Sequence, residues 1–432
     1  MRDDHHSRQS RRAVLKNGGA AVVGAGFLAG CTGARNGGEN GTTTEGSTES
    51  STESATEQSE STESASEQTL SATMEPVGNV AFEEPPETIV GEWGFAADVI
   101  TALGYGDTIA AMMDPSFWYT GFYEEISGVP ARDNYALPTL GAHDKLNREY
   151  VYELDPDLFA LDPNRFITSY GLGESDLDAM ENGIAPFFGN HSRADRGGSW
   201  PNYPSGDSYR YYTIPEYVNK YGELFGEQER ASNLVEFYEG TMADIVSNVP
   251  DKTPTIALLS AFANPENFGY FGVDNPTPDN NHSTYARKQY HDLGVEDAFA
   301  GEYGDKNSES EDLQIDAEKL AAVDPDTIIF REGIRFVDVD ESKLTYGNLY
   351  EQTLDIIKSD PVTSEITAVK EGNLFVGGTD NQGPIINLLQ TEMLAKQLYP
   401  DTYGEWHGVG ETPAEEELVD RDRLAQIITG SA

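Results

Sequence analysis

At 432 residues the chain can hold two or three domains of ordinary size, and its 28 Lys and Arg face 75 Asp and Glu, for a formal net charge of -47. So acidic a surface repels nucleic-acid phosphates and anionic lipid headgroups, which excludes both as direct partners of the folded part. The single Cys excludes an intrachain disulfide and a Cys-based zinc cluster, so packing must hold the fold.

The first segment reads as an address. Ser10-Arg11-Arg12-Ala13-Val14-Leu15-Lys16 resembles a twin-arginine export signal, and the weakly apolar stretch 20–29 is too short to span a bilayer. It ends in Leu28-Ala29-Gly30-Cys31, which resembles a lipobox, so residues 1–31 are expected to be a lipoprotein signal with Cys31 as the lipidation site. Residues 32–73 are dominated by Gly, Thr, Ser and Glu. With so few apolar side chains they cannot offset the entropy of folding and are expected to form a disordered tether. Signal and tether together place the chain, as an expectation, on the extracellular face of a cell membrane, held by lipid. The even acidity, with few Lys among the bases, resembles that of halophilic proteins, in which concentrated salt screens self-repulsion.

From Val77 short apolar runs alternate with segments of helical periodicity, the pattern of an α/β fold. Strands are predicted at 88–90, 108–113 and 158–161, with helices at 96–103 and 150–154. An internal echo then stands out. Glu149-Tyr-Val-Tyr-Glu-Leu-Asp155-Pro156-Asp157 precedes the apolar run Leu158-Phe159-Ala160-Leu161, and Glu318-Lys-Leu-Ala-Ala-Val-Asp324-Pro325-Asp326 precedes Thr327-Ile328-Ile329-Phe330. Each copy reads as a short helix opened by an acidic residue, stopped by Asp-Pro and followed by a buried strand. Between the copies, residues 216–249 repeat apolar positions at helical spacing, with a break suggested at Gly226 and Pro250 just past the end. The expected architecture is therefore two α/β lobes, 74–212 and 251–432, each with a central, mostly parallel sheet flanked by helices. A single long interlobe helix, 213–250, joins them. Further strands are predicted at 255–260 and 373–376.

These segments resemble the metal-chelate class of ABC-transporter solute-binding proteins. The resemblance runs through Glu87-Thr88-Ile89-Val90, Leu103-Gly104-Tyr105-Gly106-Asp107, Leu146-Asn147-Arg148-Glu149, Ile315-Asp316-Ala317-Glu318, and Asp360-Pro361 with Ala368-Val369-Lys370-Glu371-Gly372-Asn373-Leu374-Phe375-Val376, covering residues 77–400. It implies a monomeric protein that captures a ferric siderophore, haem or cobalamin between its lobes and delivers it to a membrane permease. It also implies that Glu149 and Glu318, one on each lobe, engage permease arginines, by charge-assisted bonds. The competing explanation is a carboxylate placed at a helix N-terminus.

Ligands of open α/β lobes bind beyond the carboxyl ends of the strands. The residues at those points are Trp93, Trp118, Tyr119, Arg165, His191, Arg193, Arg331 and Asn381, with Phe117, Asn190, Phe262 and Asp380 beside them. Aromatic walls and forked guanidinium donors suit a bulky anionic chelate of iron. Core packing of the Trp residues and ion pairing of the Arg residues are the competing explanations. The Tyr-rich segment 203–212 either folds over the cleft or is an inconsequential loop. A bare metal ion held by His143, His191, His282 and Asp380 is a second reading, weakened by their wide spacing. No cofactor is expected. The sequence has no G-x-S-x-G, H-E-x-x-H or Walker loop, which speaks against an enzyme. A non-transport cell-surface protein would share the signal and tether and need no cleft.

Overall fold

The computed structural model describes residues 69–432, apart from 131, 143–144, 195, 197–199, 205–208, 279–284, 304–312, 338, 345–346 and 432. Cys31, the signal, most of the tether, His143 and His282 lie outside the described residues. The described chain opens with a hairpin, β1 (Leu70–Met74) and β2 (Gly78–Phe82), so a strand begins within the stretch expected to be tether.

The first lobe is built on three parallel strands, β3 (Ile89–Gly91), β4 (Ile109–Met112) and β5 (Leu158–Ala160), in the order β4-β3-β5. All three residues of β3 and of β5 are buried, as expected of a sheet covered on both faces. The second lobe carries β6 (Thr255–Ser260), β7 (Phe271–Asp274), β8 (Leu313–Ile315), β9 (Thr327–Arg331) and β10 (Leu374–Val376), in the order β8-β7-β6-β9-β10, and the short strand Glu296–Asp297 also pairs with β6. The pairs β6–β9 and β9–β10 are parallel, and β7 and β8 run antiparallel.

The repeated unit has the same build in both lobes. Asn147 caps helix α2 (Arg148–Leu154), and Asp316 caps the second lobe's counterpart, Ala317–Val323. Each helix stops on an Asp in the left-handed region, Asp155 at φ 47 and Asp324 at φ 51. The final Asp of each copy then ties its strand to the first strand of its own lobe. Asp157 accepts from the amides of Glu87 and Thr88 at 3.1 and 2.9 Å, and Asp326 accepts from the amide and hydroxyl of Thr255, both at 2.9 Å.

The lobes are joined by two helices where the sequence suggested one, correcting the single-rod expectation. Ile214–Phe225, opened by a Thr213/Glu216 capping box, ends at Gly226, and Gln228–Ser247 follows. Gly226 adopts φ 76, a conformation that ends a helix and that side chains resist. Just before the break, a Cβ on Gly222 would stand 2.5 Å from that of Ala231, so the absent side chain lets the second helix turn against the first.

Helix α1 (Gly94–Ala102) belongs to the first lobe, and Pro384–Leu398 follows the last strand of the second. Asp98 on α1 accepts from the amides of Ile385 and Ile386 at 3.0 and 3.1 Å, capping the other lobe's helix. The chain's last helix, Arg421–Thr429, also returns across the seam: Arg421 bonds Glu392 at 3.0 Å and Glu125 of the first lobe at 2.8 Å. One apolar core accordingly runs through both lobes, from Phe95 and Ile100 to Leu259 and Phe330.

Candidate functional site: the interlobe seam

The strand ends of both lobes converge on a polar seam. In the first lobe β3 runs directly into Glu92 and Trp93, and α1 starts at the next residue. Glu92 is buried. Its Oε1 accepts from Arg165 Nε at 2.7 Å, and Arg165 rides on the helix Asn164–Tyr170 that follows β5. The Arg165 and Arg193 guanidiniums lie 4.4 and 4.8 Å from the centroid of the Trp93 ring, and Phe117 packs on the same indole at 5.3 Å. Burial pushes the Glu92 carboxyl up, with Arg165 and Arg193 pulling against it.

His191 is buried, and its ring stacks on Trp200 at 4.7 Å. Burial first, and then the neighbouring Arg193 and Arg165 cations, hold it well below the ordinary histidine range, so it is neutral at physiological pH. Tyr203 and Tyr209 of the Tyr-rich segment are folded against this corner. Tyr209 donates to Asp162 at 2.7 Å and accepts from the His191 amide, and Tyr203 exchanges hydrogen bonds with Asn164.

The second lobe answers with a charge-matched set. Arg331, at the end of β9, bonds Asp274 at 2.7 Å and Asp380 at 2.9 Å, and Arg287 bonds Asp274 at 2.9 Å. Burial disfavours the Asp380 carboxylate, yet Arg331, Arg287 and Arg193 together hold it below the usual carboxylate range. The lobes meet at Gly94, where an added Cβ would stand 2.7 Å from the carbonyl of Phe117 and 2.8 Å from that of Asn381. Only a residue without a side chain permits that approach.

Among the described residues, buried polar atoms lacking a hydrogen-bond partner gather here from both sides: Glu92 Oε2, His191 Nδ1, Arg193 Nε, Asp274 Oδ2, Asp380 Oδ1 and Asn381 Oδ1. Each such atom costs about 1–3 kcal/mol when left unpaired, so their concentration marks a place where a polar partner belongs. Toward solvent the seam opens into two adjoining cavities that share Ser116, Tyr135, Arg335 and Lys343. One, of about 200 Å³, is walled by Phe117, Phe262 and Phe336, and the other, of about 500 Å³, by Tyr119, Asn134 and Val337.

The structure thus brings Trp93, Arg165, His191, Arg193, Arg331 and Asn381 together, and sets Tyr119 at the outer mouth. Trp118 is 1% exposed, with its Nε1 donating to Tyr123 at 2.8 Å, so it packs in the core while also lining the larger cavity. Sequence reasoning missed Glu92, Asp274, Arg287, Glu332 and Arg335. Glu92, Asp274 and Glu332 lie at or just beyond strand ends, where the same rule could have found them. Among the described residues no group of three or more His, Cys, Asp or Glu is placed to hold a metal ion. No described helix is long and apolar enough to cross a membrane. Glu149 and Glu318 are both exposed and occupy the same place, two residues after the cap, in their respective helices.

Residues 119–380 match a family model described as periplasmic binding protein, and the chain belongs to that family, whose members bind solutes. Comparison with curated proteins finds no match. Among solved structures it is similar to the catecholate-siderophore binding protein VctP of Vibrio cholerae (16% identity, TM-score 0.47, covering 76% of this chain and 98% of that one). It is also similar to Staphylococcus aureus SirA complexed with staphyloferrin B (15%, 0.48, 76% and 97%) and to the iron-uptake substrate-binding protein PiuA of Streptococcus pneumoniae (16%, 0.49, 77% and 98%).

Proposed function

We propose that the protein is the extracellular solute-binding component of an ABC importer, capturing an anionic, siderophore-like iron chelate between its lobes and delivering it to a membrane permease. One chemical feature carries this reading: in a chain of net charge -47, five guanidiniums (Arg165, Arg193, Arg287, Arg331 and Arg335) converge on one buried seam among the carboxylates Glu92, Asp162, Asp274, Glu332 and Asp380. With only 28 Lys and Arg in the whole chain, five guanidiniums in one cleft are a local concentration of donors that an anionic ligand can use. Guanidiniums offer carboxylate or catecholate oxygens paired donors, and Trp93 and Phe117 offer flat apolar contact to a bulky chelate.

In this reading Glu149 and Glu318 dock the two lobes on a permease, Cys31 carries the lipid anchor after twin-arginine export, and the protein works as a monomer without a cofactor. Titration in concentrated salt with ferric citrate, a ferric catecholate, haem and cobalamin, followed by tryptophan fluorescence, tests the cleft. Saturable quenching by an anionic ferric chelate is expected because Trp93 lies in the seam. Binding confined to cobalamin, or to none of the four, refutes the proposal. Glu149→Ala with Glu318→Ala should leave that titration intact and abolish uptake in cells.

A further inference from the structure

At the outer edge of the seam one side chain of the second lobe makes its closest contacts with the first. Arg335 sits in the single turn Gly333–Phe336 after β9 and is 6% exposed. Its Nε donates to the Ser116 carbonyl at 2.7 Å, its Nη2 donates to the Ser116 hydroxyl at 3.1 Å, and its guanidinium lies 4.0 Å from the centroid of the Phe117 ring. Both ends of this contact are braced. Asp114 fixes Ser116 by accepting from its amide at 3.0 Å and its hydroxyl at 2.7 Å. Glu332 holds Arg335 at 3.3 Å through Oε2, while its Oε1 accepts from the Asp380 amide at 2.9 Å, which roots the arm in the inner seam.

We propose that Arg335, seated on Ser116 and Phe117, is the clasp that keeps the lobes closed, a positioning residue that governs how long the cleft stays shut. Its partners in the first lobe belong to one short turn, so parting the lobes breaks both hydrogen bonds and the ring contact together. The chemistry of the contact suits so acidic a chain. A carbonyl, a hydroxyl and an aromatic face receive the cation, and such short-range contacts in a buried place survive salt that screens exposed charges. Lys343 and Asp133 make the contrasting cross-lobe contact. They form an exposed ion pair at 3.4 Å, of the kind that contributes little.

The clasp is testable without knowing the cargo, so its failure is distinct from failure of the iron-chelate reading. Spin labels on Glu153→Cys in the first lobe and Glu371→Cys in the second, in the full chain carrying Cys31→Ser, report the interlobe distance by pulsed electron resonance with no ligand added. The parent should give a narrow, short distribution in concentrated salt. Arg335→Ala should move it to longer distances, with the closed fraction falling about tenfold or more for loss of charge-assisted hydrogen bonds. Arg335→Lys, which keeps one donor but not the fork, should restore part of the closed population. If Arg335→Ala does not fold, Arg335→Met, which keeps an apolar stem between Phe117 and Phe262, carries the test. A folded Arg335 variant with the parent's distribution overturns the proposal. So does a shift from Lys343→Ala as large as that from Arg335→Ala.

Discussion

The two walls of the seam use arginine differently. In the second lobe Arg287, Arg331 and Arg335 are matched by Asp274, Asp380 and Glu332, a balanced and mutually locked set. In the first lobe Arg165 and Arg193 share Glu92 and lean on the face of Trp93. The other buried carboxylate of this wall, Asp162, accepts from Tyr209 and Asn164 and not from an arginine. In the proposed reading that division separates a wall that contacts the anion from a wall that keeps its shape.

The hardest way to break the contrast is to strip a carboxylate from the balanced wall. Asp274→Ala leaves Arg287 and Arg331 with Asp380 as their one carboxylate partner and should destabilise the fold by about 3–5 kcal/mol in denaturant unfolding, because two buried cations then face a single negative charge. A loss within the range of an exposed pair would mean that water compensates them.

Asp98 tests whether the lobes are coupled through α1. Burial, opposed by Tyr123 and the amides at 383, 385 and 386, raises its carboxyl to about 7. Between 3.8 and about 7 the folded chain binds more protons than the unfolded one, so this group's contribution is complete below 3.8 and fades as pH rises through about 7. Asp98→Asn should flatten that decline when unfolding midpoints are compared across pH at constant salt. An unaltered slope would assign the decline to other groups.

On the first wall the effect should fall on binding. Arg193→Ala is expected to weaken the ferric chelate about 10- to 100-fold, the loss of a charged donor, and to change the unfolding midpoint little. Equal losses of stability and affinity would erase the distinction between the walls. The smallest change is a methyl between them. Gly94→Ala sets a Cβ against the carbonyls of Phe117 and Asn381 and should cost about 1–3 kcal/mol of closure, seen as weaker binding of the same chelate.

Much of this arrangement was legible because it is local. Apolar runs located β6 at Thr255–Ser260 and, within a residue or two, β3, β4, β5, β9 and β10. The Asp-Pro-Asp echo foretold two like helices, and looking just past each strand found Trp93, Arg165, Arg331 and Asn381. What escaped is long-range. Asp274 and Arg287 meet Arg331 through folding that no spacing encodes, and Arg335 contacts a turn more than two hundred positions earlier in the chain. Trp118 shows that a large aromatic just past a strand can pack in the core and line a cavity at once. The helix Pro384–Leu398 was invisible for another reason. It buries polar residues such as Asn387, Gln390 and Lys396 all around, so it shows no apolar stripe.

That helix has a consequence for how the molecule comes apart. All 15 of its residues are buried, its first turn is capped by Asp98 of the other lobe, and Tyr238 of the connecting helix bonds its Asn387 at 2.5 Å. Neither lobe can shed its structure without exposing this shared rod. Its amides should be among the slowest to exchange with deuterium, and heat should melt both halves in one cooperative transition.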